Sequence, residues 1–463
     1  MKRALFLLSI LIFAYKVGQC QTNVSGGIYT NTTWTMANSP YIVVDTIVIF
    51  PGVTLNIQPG VIIKFNNNKR IEVRQAKIIA GGTSQDSIIF TSNSASPSPG
   101  NWSQIWINGG TLISKFNYCN FKYANTVFYN KSQNSFIANL EVKNSEFSQN
   151  ITGVNCEGNN GGFSSIDSST FSNNSKALEG SNIKVNSCKI INNQIGIRTH
   201  PYAGAFFYIK NSIINDNVIG ITGVLAMEDG AAFYSVRNST INSNTFAGII
   251  EGQYASYVDT VANCEIMNNP IGILDSGSGG MLIKMCDIEH NNYGLKFKGS
   301  NKTLSCNKIC NNNVYDVYYG VVSGSNLDML NNDWCGRDSL SIITKIYDGY
   351  DNINFGLVNI FPLDSVSCFS PTKVLETVTK QNTSFKIYPN PFNESAFIEL
   401  THSNKQKFDL SIYDSQGQLV QTIDNIENGL AKIERKSLSN GIYFVRIITD
   451  RQNLMTGKFV IEQ

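Results

Sequence analysis

One pattern restricts this chain more than any other. From residue 116 onward an apolar residue is followed three places later by Ser or Cys, then by a second apolar residue, then by Asn, and finally by Gly and another apolar residue. It reads clearly in Val142-Lys-Asn-Ser-Glu-Phe147-Ser-Gln-Asn150-Ile-Thr-Gly153-Val154 and again in Val185-Asn-Ser-Cys-Lys-Ile190-Ile-Asn-Asn193-Gln-Ile-Gly196-Ile197. Nine copies start between Phe116 and Leu304, a mean spacing of about 23.5 residues, which is the period of a solenoid. Apolar residues alternate with period two and are interrupted by Asn and Gly every few positions, which excludes helical repeats of similar length. Each repeat is therefore a coil of short strands. Stacked coils about 4.8 Å apart place equivalent residues directly above one another.

That stacking assigns roles to the repeated slots. Asn150, Asn174, Asn193, Asn217, Asn244, Asn269, Asn291 and Asn312 are expected to form a ladder at one corner, where Asn tolerates a left-handed backbone and can bond the next coil. Gly153, Gly196, Gly220, Gly272 and Gly294 follow three places later and are expected to make a second tight corner. Cys119, Cys188, Cys264 and Cys286 share a slot with Ser145, Ser169, Ser212 and Ser239, which points to packing rather than bridging. Cys306 with Cys310, or Cys335 with Cys368, are the better disulfide candidates, and without a His cluster beside them no metal site is expected.

Charged residues are only 15% of the chain and the net charge is +2, so no global field favours nucleic acid. Lys2 and Arg3 followed by the twelve-residue apolar stretch Ala4 to Tyr15 read as a signal peptide over residues 1–20, too short to span a bilayer. Cleavage is expected after Cys20; Gln19 before that cysteine disfavours a lipoprotein signal. No later segment forms a transmembrane anchor. The polar surface is supplied by Asn, Ser, Thr and Tyr, suited to carbohydrate.

Two resemblances then become specific. Pro51-Gly-Val-Thr-Leu-Asn-Ile-Gln-Pro-Gly-Val-Ile-Ile-Lys-Phe65, with Ala80-Gly-Gly-Thr83 and Ile88-Ile-Phe-Thr-Ser92, resembles the opening coils of secreted bacterial right-handed parallel β-helix proteins of the pectate-lyase-like superfamily. Asn331-Asn-Asp-Trp-Cys-Gly336, Ile346-Tyr-Asp348, Gly356-Leu-Val358 and Pro362-Leu363 are similar to their closing coil, so the likeness covers about residues 24–369 of a β-helix domain expected over 21–370. It implies an all-β solenoid. It does not assign an activity, because that superfamily holds lyases, hydrolases, epimerases and proteins without known catalysis.

After a polar linker at 371–383, residues 384–463 carry about seven alternating strands, as expected of a small immunoglobulin-like β-sandwich. Ile387-Tyr-Pro-Asn-Pro391, Ile412-Tyr-Asp-Ser-Gln-Gly417, Leu438-Ser-Asn-Gly-Ile-Tyr443 and Lys458-Phe-Val-Ile461 closely resemble the type A sorting domain of the type IX secretion system of Bacteroidetes-type bacteria. The resemblance implies that Pro389, Asn390, Pro391, Gly417, Gly441, Tyr443 and Lys458 belong to the sorting signal, and that the secretion machinery is a partner. The triplets at Thr46, Ser87, Thr260, Ser339 and Ser365 resemble the O-glycosylation signal of such bacteria, or mark turns entering strands.

β-Helix enzymes set their chemistry on an outward strip of one sheet. The residues just past the corner glycines are Glu179, Arg198, Thr222, Glu251, Asp275 and Lys296, with His200 and Lys298 nearby. Stacking is expected to bring Glu179 to Arg198 and Asp275 to Lys296, pairs that could meet a sugar acid or simply solvate the shaft. The catalytic signatures of polygalacturonase-like hydrolases and pectate lyases are missing from the sequence, and no cofactor is expected. The leading expectation is a non-catalytic extracellular protein displaying a glycan-binding or adhesive face; a divergent polysaccharide lyase or glycoside hydrolase is the alternative.

Overall fold

The computed structural model describes residues 21–463 other than 132–139, 158–162, 200–204, 224–231, 252–257, 276, 278, 323–324, 362–383, 402–406, 415–417, 428, 450–453 and 463. The expected signal peptide and linker, His200, Ser365, Cys368 and Gly417 thus lie outside the described residues. The chain divides into two units, Met1–Ser370 and Pro371–Gln463.

The first unit is a parallel β-solenoid. Each coil runs through three short strands on three faces, because alternate residues must bury apolar side chains before a polar corner turns the chain. The first face is a twelve-stranded parallel sheet running from Thr32–Trp34 to Lys302–Ser305. The second face stacks short strands such as Glu146–Ser148, Thr170–Ser172 and Lys189–Ile191. The third face stacks Thr152–Glu157, Lys176–Gly180, Ile195–Thr199 and their successors. Register keeps like residues in columns: Phe121 aligns with Phe147, Phe147 with Phe171, and Phe171 with Ile190. Ring centroids along Phe90, Phe121, Phe147 and Phe171 are 4.8, 4.8 and 4.3 Å apart, so the rung spacing is also the stacking distance of the core.

The asparagine ladder is present, and it is buried. Each side-chain amide donates to the Asn Oδ1 of the following rung, from Asn150 to Asn174 at 3.0 Å through to Asn291 and Asn312 at 3.1 Å. The same amide also donates to a main-chain carbonyl, as Asn174 does to Phe147 and Asn193 to Phe171. The ladder starts where the Ala124 N–H donates to Asn150, and it ends where Asn312 donates to buried Asp316 at 2.8 Å, which is paired in turn with Arg337. The left-handed residue of this corner is the one before each ladder position. Gln149, Asn173, Asn192, Asp216, Ser243, Asn268, His290 and Asn311 all have φ between 55° and 59°. The ladder asparagines are thus held by hydrogen bonds and not by backbone handedness, which corrects the sequence expectation.

The glycine column is corrected as well. Gly153, Gly196, Gly220, Gly272 and Gly294, joined by Gly248, have no positive φ and lie within the third-face strands. A Cβ on them would stand 2.4–2.7 Å from the carbonyl oxygen of the next rung. Glycine is required there by close approach of backbone to backbone. Gly220→Val is expected to cost about 1–3 kcal/mol by overpacking against the Gly248 carbonyl, read as a lower urea midpoint at unchanged slope.

Ser145, Ser169, Ser212 and Ser239 form a second buried ladder between the first and second faces. The Ser145 N–H donates to Ser169 at 3.1 Å and the Ser212 N–H to Ser239 at 3.1 Å. Cys119, Cys188, Cys264 and Cys286 fill this slot as buried free thiols, and burial pushes the Cys188 thiol up to about 12. Near the C-terminal end of the solenoid the disulfide joins Cys310 to Cys335, in place of the pairings read from spacing, and Cys306 is also disulfide-bonded. Glu289 lies beside Cys310 and Cys335, but the two sulfurs are bonded to each other.

The second unit has a three-stranded and a four-stranded antiparallel sheet around a core that includes Ile398, Leu410, Ile433, Val445 and Phe459. Asn390 accepts the Val460 N–H at 2.9 Å, and its amide donates to the Lys458 carbonyl, pinning Pro389-Asn-Pro391 onto the last strand. The Tyr443 hydroxyl donates to Ser439 while its ring stacks on Phe459. Arg435 bonds Asn393 and Asn440, which ties the turn before Gly441 to the first motif.

Candidate functional site

From Leu140 onward the connections between the first and second faces take two residues, as at Asn144-Ser145 and Ser187-Cys188. Those leaving the third face vary: Lys131 to Leu140, Glu251 to Asp259 and Phe297 to Lys302. From Leu140 onward most variation in coil length therefore falls beside the third face, whereas the earlier coils also lengthen at 58–61, 82–87 and 93–101, on the other two corners.

On that face two residues past the glycine column point outward and three residues past it point inward. The outward column reads Glu72, Trp106, Tyr129, Asn155, Glu179, Arg198, Thr222, Ile250, Leu274, Lys296, Tyr318 and Tyr347 in continuous register. Beside it run Lys176, Ile195 and Ile219, then Ile271, Tyr293 and Tyr315.

Of the residues expected on one strip, Glu179, Arg198, Thr222 and Lys296 belong to this column, whereas Glu251 and Asp275 do not. These two are one residue further along their strands and face the interior, fully buried. The expected pairing of Asp275 with Lys296 is therefore absent, since Asp275 aligns with Phe297 and Leu274 with Lys296. The expected approach of Arg198 to Glu179 is present at 3.5 Å, but Lys176 also reaches Glu179, at 2.5 Å. Glu179 is thus a buried carboxylate held between two cations, Arg198 remaining partly exposed.

At the C-terminal rungs the outward columns become aromatic. Lys296 Nζ lies 4.8 Å from the Tyr293 ring centroid and 5.3 Å from that of Tyr318. Tyr318 and Tyr347 stack with planes 4° apart and centroids 4.9 Å apart, and Tyr315 packs edge-on against Tyr347. At the N-terminal rungs Arg70 lies over Trp106 at 5.7 Å, and Arg70 and Arg74 flank buried Glu72 at 3.8 and 2.7 Å. Sequence reading missed the tyrosines. Counting two places past Gly294 and Asp316 would have found Lys296 and Tyr318 together.

Inside the same rungs lies a buried charged cluster. Lys302 Nζ is 3.0 Å from Glu251 and 3.4 Å from Asp275 and donates to the Gly279 carbonyl, and none of the three side chains is exposed to solvent. Asp259 accepts the Tyr234 N–H at 2.9 Å and is likewise buried. Burial, followed by the neighbouring Asp275 carboxyl, pushes the Glu251 carboxyl up to about 10; burial pushes Asp259 up to about 8. Lys302 and Tyr234 carried no sequence signal, since each comes from the first face across a connection of variable length.

Two glycosylation candidates change meaning. Thr260 lies within strand Asp259–Ala262 and is largely buried, so that triplet is part of a strand and not a turn entering one. Ser339 opens the short helix Ser339–Ile343, whose N-cap Asp338 accepts the Ser341 N–H, so that triplet is a capping turn. Thr46 and Ser87 lie partly exposed.

Residues 386–462 match the family of secretion system C-terminal sorting domains, and residues 26–135 match the pectate-lyase-like β-helix domain. Among curated proteins none matches the chain. Solved structures similar to it include the A-module of a mannuronan C-5 epimerase from Azotobacter vinelandii, at 15% identity and TM-score 0.37, covering 71% of this chain and 85% of that one. Another is a tailspike protein of the Acinetobacter baumannii bacteriophage Fri1, a capsular polysaccharide depolymerase, at 10% identity and TM-score 0.34, covering 94% and 78%. A third is the enzymatically active domain of tailspike protein 2 of bacteriophage CBA120, at 10% identity and TM-score 0.26, covering 91% and 72%. No helix among the described residues is long and apolar enough to cross a membrane. The sorting domain implies export to the cell surface or the extracellular space, and the chain combines a β-solenoid, whose first coils match a pectate-lyase-like β-helix domain, with a type IX secretion sorting domain.

Proposed function

We propose that this exported β-helix is a non-catalytic glycan-binding protein, and that its ligand is a polysaccharide bearing negative charge laid along the outward columns of the third face. The observation that carries this reading is the group of Tyr293, Lys296, Tyr315, Tyr318 and Tyr347. Tyrosine rings stack against the apolar faces of sugars, and an ammonium held between two rings is oriented to meet an acidic substituent. Charge along the columns supports the same ligand. Of the described side chains there, Arg70, Arg74, Lys176, Arg198 and Lys296 are cationic, against Glu72 and Glu179, both buried and already paired. The acid and base groups that a lyase or hydrolase would need, Glu251, Asp275 and Lys302, are enclosed.

The test is binding of the full chain to a polyuronate and to a neutral glucan, with product analysis in parallel. Binding to the polyuronate is expected, weakened about tenfold in Lys296→Ala by loss of a charge-assisted contact and by a similar factor in Tyr318→Ala. Lys189→Ala, on the exposed second face, should leave it unchanged. Unsaturated or newly reducing products, lost in Arg198→Ala, would replace this reading with the enzymatic one.

A further inference from the structure

The cluster beneath the outward columns brings one side chain from each of five strands to one interior corner. Tyr234 comes from Ala232–Arg237, Glu251 from Ala247–Glu251, Asp259 from Asp259–Ala262, Asp275 from Ile271–Asp275 and Lys302 from Lys302–Ser305. Two of the three carboxyl groups, Glu251 and Asp275, pair with the one ammonium, the third, Asp259, accepts the Tyr234 N–H, and all are buried. If every group ionised, the corner would hold two uncompensated negative charges away from water, an arrangement proteins avoid by binding protons instead. The Glu251 and Asp275 carboxyls meet on the same ammonium, 3.0 and 3.4 Å from Lys302 Nζ, so two like charges would face one another at close range if both ionised.

We infer that this cluster is a proton-held clasp: folding draws protons into it, and rising pH opens this corner of the stack while the other rungs stay closed. Ile250 and Leu274 on the outer column immediately precede Glu251 and Asp275, so the clasp sets the backbone on which the outer face is displayed.

The direction follows from linkage. In the unfolded chain both carboxyls ionise near pH 4, whereas burial keeps Asp259 protonated up to about 8 and Glu251 up to about 10. The folded corner therefore binds more protons between those limits. Its stability is full below about pH 4, declines as pH rises through the window, and levels off above it.

The experiment is amide hydrogen exchange of the full chain between pH 6 and 8, corrected for intrinsic exchange. Strands Ala247–Glu251, Asp259–Ala262 and Ile271–Asp275 are compared with Ile62–Phe65 and Ile88–Ser92, which hold no carboxylate. Protection at the corner is expected to fall about tenfold per pH unit for each proton held, while the comparison strands stay level. In the double variant Glu251→Gln with Asp259→Asn the slope should flatten. A uniform pH response across both regions, or an undiminished slope in the double variant, overturns the clasp. Should that variant fail to fold, the wild-type contrast and the slope of Glu251→Gln alone decide.

Discussion

Lys302→Met is expected to destabilise the solenoid by about 3–5 kcal/mol, because removing one partner from a buried ion pair strands the charge of the other. Lys302 is the one ammonium within hydrogen-bonding reach of Glu251 and Asp275 among the described residues, and it also bonds the Gly279 carbonyl. Methionine fills nearly the same volume, so a loss of that size reads the electrostatics and not a cavity. Chemical denaturation near pH 7 checks it, with Lys298→Met on the exposed face as the control expected to stay within about 0.5 kcal/mol. A loss below about 1 kcal/mol would mean that the carboxyls manage without their cation.

The second large effect belongs to the amide ladder. Asn217→Ala should cost about 3–5 kcal/mol, since several buried groups lose their partner at once. The Asn217 amide donates to Asn244 and to the Ile190 carbonyl, while its Oδ1 accepts both the N–H and the amide of Asn193. Asn173→Ala is the matched comparison. That residue is exposed and left-handed at φ 57°, so its loss should cost about 1 kcal/mol through the backbone alone. Equal losses at the two positions would show that the corner depends on backbone handedness and not on the ladder.

The period, the ladder positions and the serine and cysteine slot were legible because stacking converts sequence spacing into vertical alignment. What spacing could not resolve was the side of the strand. Glu251 and Lys296 both follow a glycine, yet one stands three places on and the other two, and in a strand that single step exchanges interior for exterior. The buried cluster escaped for a related reason. Asp259 and Lys302 enter their strands after connections of different lengths, so no fixed offset links them to Glu251. The left-handed residues were displaced by one because Asn is common at both corner positions, as in Asn173-Asn174 and Asn192-Asn193.

The ladder's ending at Asp316 has a further meaning for how copies of this molecule behave toward one another. Every amide in the column points its donors the same way, so an unfinished column would present a hydrogen-bond donor pair to any similar stack that met it end to end. A carboxylate held by Arg337 takes up that last pair instead, so the column closes within its own chain on a group that has no donor to offer in turn.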